Sequence, residues 1–176
     1  MITYDEGTNR FNYRIVGVAV EDDHVLLHHE SVDDFWALPG GRAELQEDAM
    51  TTVKRELGEE IGAVVQVGRL LWIAEDFFHY KKMHYHEIAL YFFMTFPEDS
   101  AFRDKTRTYP GIESDVALTY KWFPTSELKD LSLYPSFLAR ELQSLPDTPR
   151  HILHNIHENR PMKAILRSRV RHNKDQ

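Results

Sequence analysis

Hydrophobic residues recur along this chain with two different periods, and the change of period marks the elements. Tyr13 to Val20, YRIVGVAV, is rich in β-branched residues and reads as a strand. Asp22-Asp23 then makes a turn, and Val25 to His29 is the hairpin partner. Phe35-Trp36-Ala37-Leu38 is a short strand stopped by Pro39-Gly40-Gly41. Val64 to Phe78 reads as one long or bent strand with a bulge at Gly68, and His84 to Phe96 as another, mostly buried by composition. Val116 to Phe123 is a further strand. Between the early and late strands the period shifts to about 3.6. At about 100° per residue, Met50, Val53, Leu57 and Ile61 fall on one stripe, which predicts a helix from Asp48 to Ile61 with that stripe facing the core. Gly62 suits its C-cap, and Glu47 with Asp48 suits its positive N-terminal end. Thr125 to Leu131 reads as a short helix, and Pro135 opens a second one through Leu145. His151 to Glu158 fits a strand or a helix equally well. Strands mixed with a few helices predict an α/β sandwich with a mixed sheet. No repeat or linker interrupts it, so residues 1–166 are read as one domain and 167–176, RSRVRHNKDQ, as a polar, basic, frayed tail.

Composition narrows the function classes. The chain has 176 residues, 42% hydrophobic and 28% charged, as one globular domain with a sizeable core requires. A net charge of −7 argues against strong nucleic-acid or anionic-membrane binding. Phosphate-bearing substrates stay open, because a bound metal inverts the local field. There is no cysteine, which excludes disulfides, cysteine–zinc sites and a thiol nucleophile. MITYDEGTNR lacks the regions of a signal peptide, and the apolar run Ile88 to Phe96 is too short to cross a bilayer, so a cytoplasmic protein is expected.

The predicted helix carries a charge pattern that needs explaining. Glu56, Glu59 and Glu60 crowd one side of it. Like charges at i,i+3 and i,i+4 oppose each other by roughly 0.2–0.5 kcal/mol per pair. A bound hard cation, which prefers carboxylate oxygens, is the simplest offset. Glu56 and Glu60 sit one turn apart beside the apolar stripe, and Glu59 lies further round. The bland alternative is a solvated helix face.

The surrounding residues decide between these readings. Gly41, Glu47, Arg55-Glu56, Leu57, Glu59-Glu60, Gly62 and Ala63 stand at the spacing of the Nudix box, and the segment Gly41 to Ala63 resembles it throughout. Ala63 is smaller than the aliphatic residue usual there, and Gln46 stands where many members carry glycine. Trp36-Ala37-Leu38-Pro39-Gly40-Gly41 is similar to the family's lead-in, and Trp122-Phe123-Pro124 with Glu127-Leu128 to its late strand-to-helix turn. The resemblance spans roughly Phe11 to Leu145. It implies a Nudix-type α/β/α sandwich with a central mixed sheet. It also implies magnesium-dependent hydrolysis of a pyrophosphate bond in a nucleoside diphosphate linked to another moiety, with manganese a possible substitute. Nucleotide sugars such as ADP-ribose, nucleoside triphosphates, dinucleoside polyphosphates and capped RNA ends all fit. Retention of every charged box position favours an enzyme over a nucleotide-sensing binding module of the same fold.

Site roles come with the resemblance. Glu56 and Glu60 are the implied metal ligands, with Glu59 as a further ligand or the base. The Gly40 carbonyl is a candidate ligand, since a Gly-Gly turn lets backbone approach closely. Arg55 is expected to pair with Glu47 and orient the site. Glu113 is the first candidate for a catalytic carboxylate outside the box, then Glu87 and Asp115. Arg14 and Arg42 flank the presumed site and are candidates for holding phosphate bidentately. Pro97 to Asp115 is a long polar loop whose Arg103, Lys105 and Arg107 either reach substrate phosphate or lie on the surface. Phe77-Phe78, Trp36 and Tyr80 are candidates for stacking a base, against the simpler reading that they pack the sheet. His84, His86, His151, His154 and His157 match no zinc spacing and are read as surface or core-edge residues. The expected partner is a small nucleotide-type substrate, and a homodimer is left open.

Overall fold

A computed structural model describes residues 1–80, 82–112 and 117–155. In chain order its strands and α-helices are β1 (Thr3–Glu6), β2 (Asn9–Val18), β3 (Val20–Glu21), β4 (His24–Glu30), β5 (Trp36–Ala37), β6 (Gly40–Arg42), α1 (Ala49–Ile61), β7 (Gln66–Tyr80), β8 (Met83–Thr95), β9 (Thr108–Pro110), β10 (Leu118–Pro124), β11 (Leu133–Tyr134), α2 (Leu138–Glu141) and β12 (Arg150–Asn155). Single 3-10 turns lie at Ala101–Arg103 and Thr125–Asp130.

The strands form two mixed sheets where one was expected. The first runs β1-β2-β8-β7-β12 with β6 also on β2. Its β2–β8 and β7–β12 pairs are parallel and the others antiparallel. The second runs β11-β5-β4-β10-β9 with β3 on β4. The hairpin β7–β8 is the backbone of the first sheet, and its register shifts around Val67, Leu70 and Trp72 accommodate the expected bulge at Gly68. β2 begins earlier than its apolar run suggests, because Arg10 and Asn12 sit in a strand whose alternate faces differ.

Helix α1 is set by local chemistry at both ends. The Asp48 carboxylate accepts from the Thr51 N–H at 3.0 Å, an N-cap bond. Gly62 ends the helix at φ 68°, with its N–H reaching the Gly58 and Leu57 carbonyls. Val53, Leu57 and Ile61 are buried as the stripe predicts. Full burial of such side chains contributes about 1.5–3 kcal/mol each, and Leu57→Ala would cost about 3 kcal/mol. Met50 departs from the expectation and is 42% exposed. Thr52 takes the buried place in that first turn, its hydroxyl donating to Glu47 at 2.9 Å. The first turn thus belongs to a polar network, and packing begins one turn later.

The two cores lie on opposite faces of the first sheet. Ile15, Phe92 and Met94 meet α1 together with Leu26, Tyr120 and Trp122 of the second sheet. Val16, Val18, Trp72 and Tyr91 meet Leu27, Phe123, Phe137 and Leu138. The first late helix has nearly the expected span, as a 3-10 helix, and the second is shorter than expected. Thr125 to Asp130 is a 3-10 turn, and α2 keeps only Leu138–Glu141 of the stretch from Pro135 to Leu145. The long polar loop is structured in part by β9 and by the turn at Ala101–Arg103. Of the region from His151 to Glu158, the part up to Asn155 belongs to strand β12. His157, the tail 167–176, Glu113 and Asp115 lie outside the described residues.

Candidate active site

Arg55 organises the box. Its Nε and one terminal nitrogen clamp Glu47 bidentately at 2.8 and 3.0 Å, while the other terminal nitrogen donates to Glu56 at 2.7 Å and Glu59 at 3.3 Å. It also donates to the Arg42 carbonyl at 3.2 Å, which ties the helix to β6. One guanidinium thus offsets three carboxylates, and its planar fork suits the task better than a lysine would. Glu47 gains further donors from the Glu44 N–H and the Thr52 hydroxyl. The Arg55 hydrogen bond is the main reason its carboxyl titrates low, at about 2. This is the expected Arg55–Glu47 pair, extended to two of the box glutamates.

The glutamates differ in setting. Glu56 and Glu60 are buried, and Glu59 is the most open of the three. The Glu56 carboxylate is admitted by Gly41: a Cβ there would lie 2.2 Å from its carboxyl carbon. Gly41 pairs with Ile15 on the edge of the sheet, so the strand edge and the helix meet without an intervening side chain. Glu60 accepts a hydrogen bond from the hydroxyl of Tyr120, a fully buried residue of β10. Burial, then the neighbouring Glu60 charge, keeps that hydroxyl protonated far above its ordinary range. Among the described residues no three His, Asp or Glu side chains converge as a preformed metal site. The donor set is nonetheless of the kind a hard cation takes: two buried carboxylates one turn apart, with a third beside them.

Arg14 and Arg42 are both buried and lie directly opposite each other in the β2–β6 ladder. Like charges so placed oppose each other. Arg14 donates to the Gly40 carbonyl at 2.8 Å, so that candidate ligand already has one partner. Gly40 itself sits at φ 145°, and a Cβ would meet the Ile15 carbonyl at 2.2 Å, so only glycine serves there. Burial, then Arg14, lowers the Arg42 guanidinium. The face carrying these arginines continues into Arg10, whose guanidinium lies over the Tyr85 ring, with Phe78 stacked on Tyr85 at 4.7 Å.

Other candidates are sorted by their contacts. Arg103 pairs with Glu21, and Lys105 with Asp22 and the Trp122 ring, so both hold the loop to the β3 turn. Trp36 packs on Phe123, and Phe78 on Tyr85 and Tyr134, as sheet packing requires. Phe77 stacks on His86 at 4.4 Å on the opposite face of the first sheet. His151 pairs with Glu75, while His154 contacts Asp76.

Glu87, a secondary candidate in the sequence, proves the more unusual residue. It is buried on β8, and burial raises its carboxyl to about 7 against the pull of Arg14. Asp76, Tyr134 and Asn12 join it, and none was singled out from the sequence. The signal available was an acid set among apolar residues on one strand face, as Glu87 is between Tyr85 and Ala89 and Asp76 between Ala74 and Phe78.

Comparison with known proteins agrees with this geometry. The model of the NUDIX domain matches residues 11–143. The 8-oxo-dGTP diphosphatase of Buchnera aphidicola is 27% identical over 146 residues, 81% of this chain and 90% of its own length. YjhB of Bacillus subtilis, provisionally named an ADP-ribose pyrophosphatase, is 29% identical over 119 residues; the match covers 66% of this chain and about half of YjhB, 51%. The crystal structure of a MutT NUDIX hydrolase from Burkholderia pseudomallei superposes with a TM-score of 0.57 at 20% identity, over 76% of this chain and 98% of that one. The box on α1, the mixed sheets and the matched residues together place the chain in the Nudix hydrolase family.

Proposed function

We propose that this protein hydrolyses a pyrophosphate bond in a nucleoside diphosphate linked to another moiety, with magnesium as its cofactor. The observation that carries this reading is the convergence of Glu47, Glu56 and Glu59 on Arg55, beside the buried pair Arg14 and Arg42. Carboxylates for a cation and guanidinium groups for phosphate are what a phosphoanhydride demands. The Buchnera relative is named for a nucleoside triphosphate, which makes 8-oxo-dGTP and related triphosphates the first substrates to try. ADP-ribose is the next, after YjhB.

Glu56 and Glu60 would hold the magnesium, with Glu59 and the Gly40 carbonyl at its margin. When bound, the ion neutralises phosphate oxygens and lowers the pKa of water. The chain's own residues do the rest. Arg55 holds Glu56 and Glu59 in place and fixes them to β6. Tyr120 fixes the second buried carboxylate. Arg14 and Arg42 draw in and orient the phosphates. Glu59, the most accessible box carboxylate, accepts the proton of the attacking water. Glu113 is the alternative base. Ile112 donates to the Glu60 carbonyl at 2.8 Å, so the described end of that loop is pinned to the box helix.

The test is a panel of nucleoside diphosphate derivatives and triphosphates with magnesium, comparing wild type with Glu59→Gln and Glu60→Gln. Turnover that disappears with chelator and with Glu60→Gln is expected. Tight binding of one nucleotide with no turnover by wild type would overturn the enzyme reading, and activity that survives chelator would overturn the metal.

A further inference from the structure

Four polar side chains form a row across the first sheet. The ladder registers place Asn12 of β2 opposite Glu87 of β8, Glu87 opposite Asp76 of β7, and Asp76 opposite His154 of β12. Paired residues in a ladder point to the same face. The row is therefore one line of adjacent side chains, buried between the sheet and the segment from β11 to α2. Two carboxylates lie side by side in it, and their donors are distributed unequally.

Asp76 has two. The Tyr134 hydroxyl donates to one oxygen at 2.6 Å, and His154 Nδ1 lies 2.8 Å from the other. A carboxylate only accepts, so Nδ1 carries the hydrogen. His154 Nε2 then faces the Ser136 hydroxyl at 3.1 Å, which donates to it in the neutral tautomer. Glu87 has a weaker donor, the Asn12 amide at 3.3 Å. Adjacent buried carboxylates cannot both ionise cheaply, so the one with more and closer donors keeps the charge. That member is Asp76. The other lines a small cavity of about 20 Å³ with Arg14, Tyr91 and Tyr134 among apolar walls, wide enough for a single water or one ligand atom.

The residue that tips this balance comes from outside the matched domain. The NUDIX match ends at residue 143, and β12 is Arg150–Asn155. We propose that His154 is a positioning residue for the substrate pocket. The added strand holds Asp76 as the ionised acceptor, which leaves Glu87 as the protonated carboxyl that donates to an acceptor atom of the bound nucleotide beside Arg14. Arg14 from β2, Arg42 from β6, Asp76 from β7, Tyr91 from β8, Tyr134 from β11 and His154 from β12 are the charged and titratable groups around Glu87. The ligand half of this inference rests on the hydrolase reading above; the proton placement does not.

Two readouts separate them. Carboxyl carbon NMR across pH 5–9 reports which acid titrates in the neutral range. Glu87 is expected to do so in wild type, in Ser136→Ala and in His154→Asn, since an asparagine amide reproduces an Nδ1–H donor. In His154→Ala the neutral titration should pass in part to Asp76. Kinetics on the best nucleotide of the panel should show KM rising about tenfold in His154→Ala, its pH profile displaced, kcat within about twofold, and recovery in His154→Asn. If Glu87 keeps the same midpoint in His154→Ala, the proposal fails. If the titration moves but KM and its pH profile do not, the proton placement stands and the pocket role is lost. If no nucleotide is turned over by wild type, the hydrolase reading fails while the NMR result still decides the proton placement.

Discussion

Two clusters of carboxylates lie partly or wholly buried in this protein, and they are kept in different ways. On α1, Glu47, Glu56 and Glu59 share one guanidinium, so their charges are offset by another charge. In the strand row, Asp76 and Glu87 are offset by hydroxyl, imidazole and amide donors and by retaining a proton. The first solution sets a fixed cation among the carboxylates and holds the Glu47 carboxyl low. The second leaves one acid poised near neutrality, as a group that donates or exchanges a proton needs. A part-exposed carboxyl depressed to about 2 and a buried one raised to about 7 lie within one small domain because the neighbours differ, while the side chains are the same.

Removing a box ligand should have the largest effect. Glu60→Gln keeps the shape and the acceptor for Tyr120 but loses the charge. Metal-assisted charge stabilisation supplies several kcal/mol, so kcat/KM should fall about 10³-fold with little change in melting temperature. A loss below tenfold would mean that α1 and the strand row do not divide the work between cation and proton.

Arg55→Ala attacks the offset itself. It strands Glu47 and Glu56 without their cation, and hydrogen bonds to charged groups contribute about 1.5–3 kcal/mol each. Arg55 is a quarter exposed, which softens the loss to about 2 kcal/mol in denaturant unfolding at pH 7. Glu47 sets the sign with pH. Its folded value lies below its ordinary 4.5, so it contributes stability above that value and loses it as pH falls toward 2. The variant should therefore lose this acid-side slope between pH 4.5 and 2, and the two stability curves should converge at the acid end.

Glu87→Gln has the opposite sign. A carboxyl raised from 4.5 to about 7 binds its proton more tightly when folded, so the folded state loses stability as pH rises from 4.5 to about 7 and carries the full penalty above it. Glutamine has no charge to bury. The variant should match wild type near pH 5 and be more stable above pH 7, on the order of 3 kcal/mol at most. Equal curves across that range would mean that the strand row holds no excess proton.

The two regions were unequally legible in the sequence. The box glutamates and Arg55 lie within one helix and its lead-in, where a period of 3.6 fixes which side chains meet. Val53, Leu57, Ile61, the Asp48 cap and the Gly62 cap all obey the same local rule. The strand row joins residues 12, 76, 87 and 154, and only the register of four strands brings them together. Alternation within a strand fixes which residues share a face but not which strand lies beside it. Met50 failed for a related reason: periodicity placed it on the stripe, yet the Glu47–Thr52 contact claimed that turn. The short α2 failed because an apolar run after Pro135 packs equally well as irregular chain, through Phe137, Leu138 and Leu142.

A third ion pair calibrates both clusters and should give the smallest effect. Arg103 bonds Glu21 across the β3 turn, and Lys105 bonds Asp22 at 2.9 Å beside the Trp122 ring. These groups are partly or largely open to water, where screening and side-chain entropy cancel most of the Coulomb gain. Arg103→Ala should leave the denaturant midpoint almost unchanged, and any small loss should shrink further in 0.5 M salt. Its kcat/KM should stay within about twofold, since the Arg103 guanidinium is engaged by Glu21 at the β3 turn. A drop of tenfold or more in kcat/KM would show that this arginine reaches substrate after all, and would extend the phosphate-binding surface from Arg14 and Arg42 to the β3 turn.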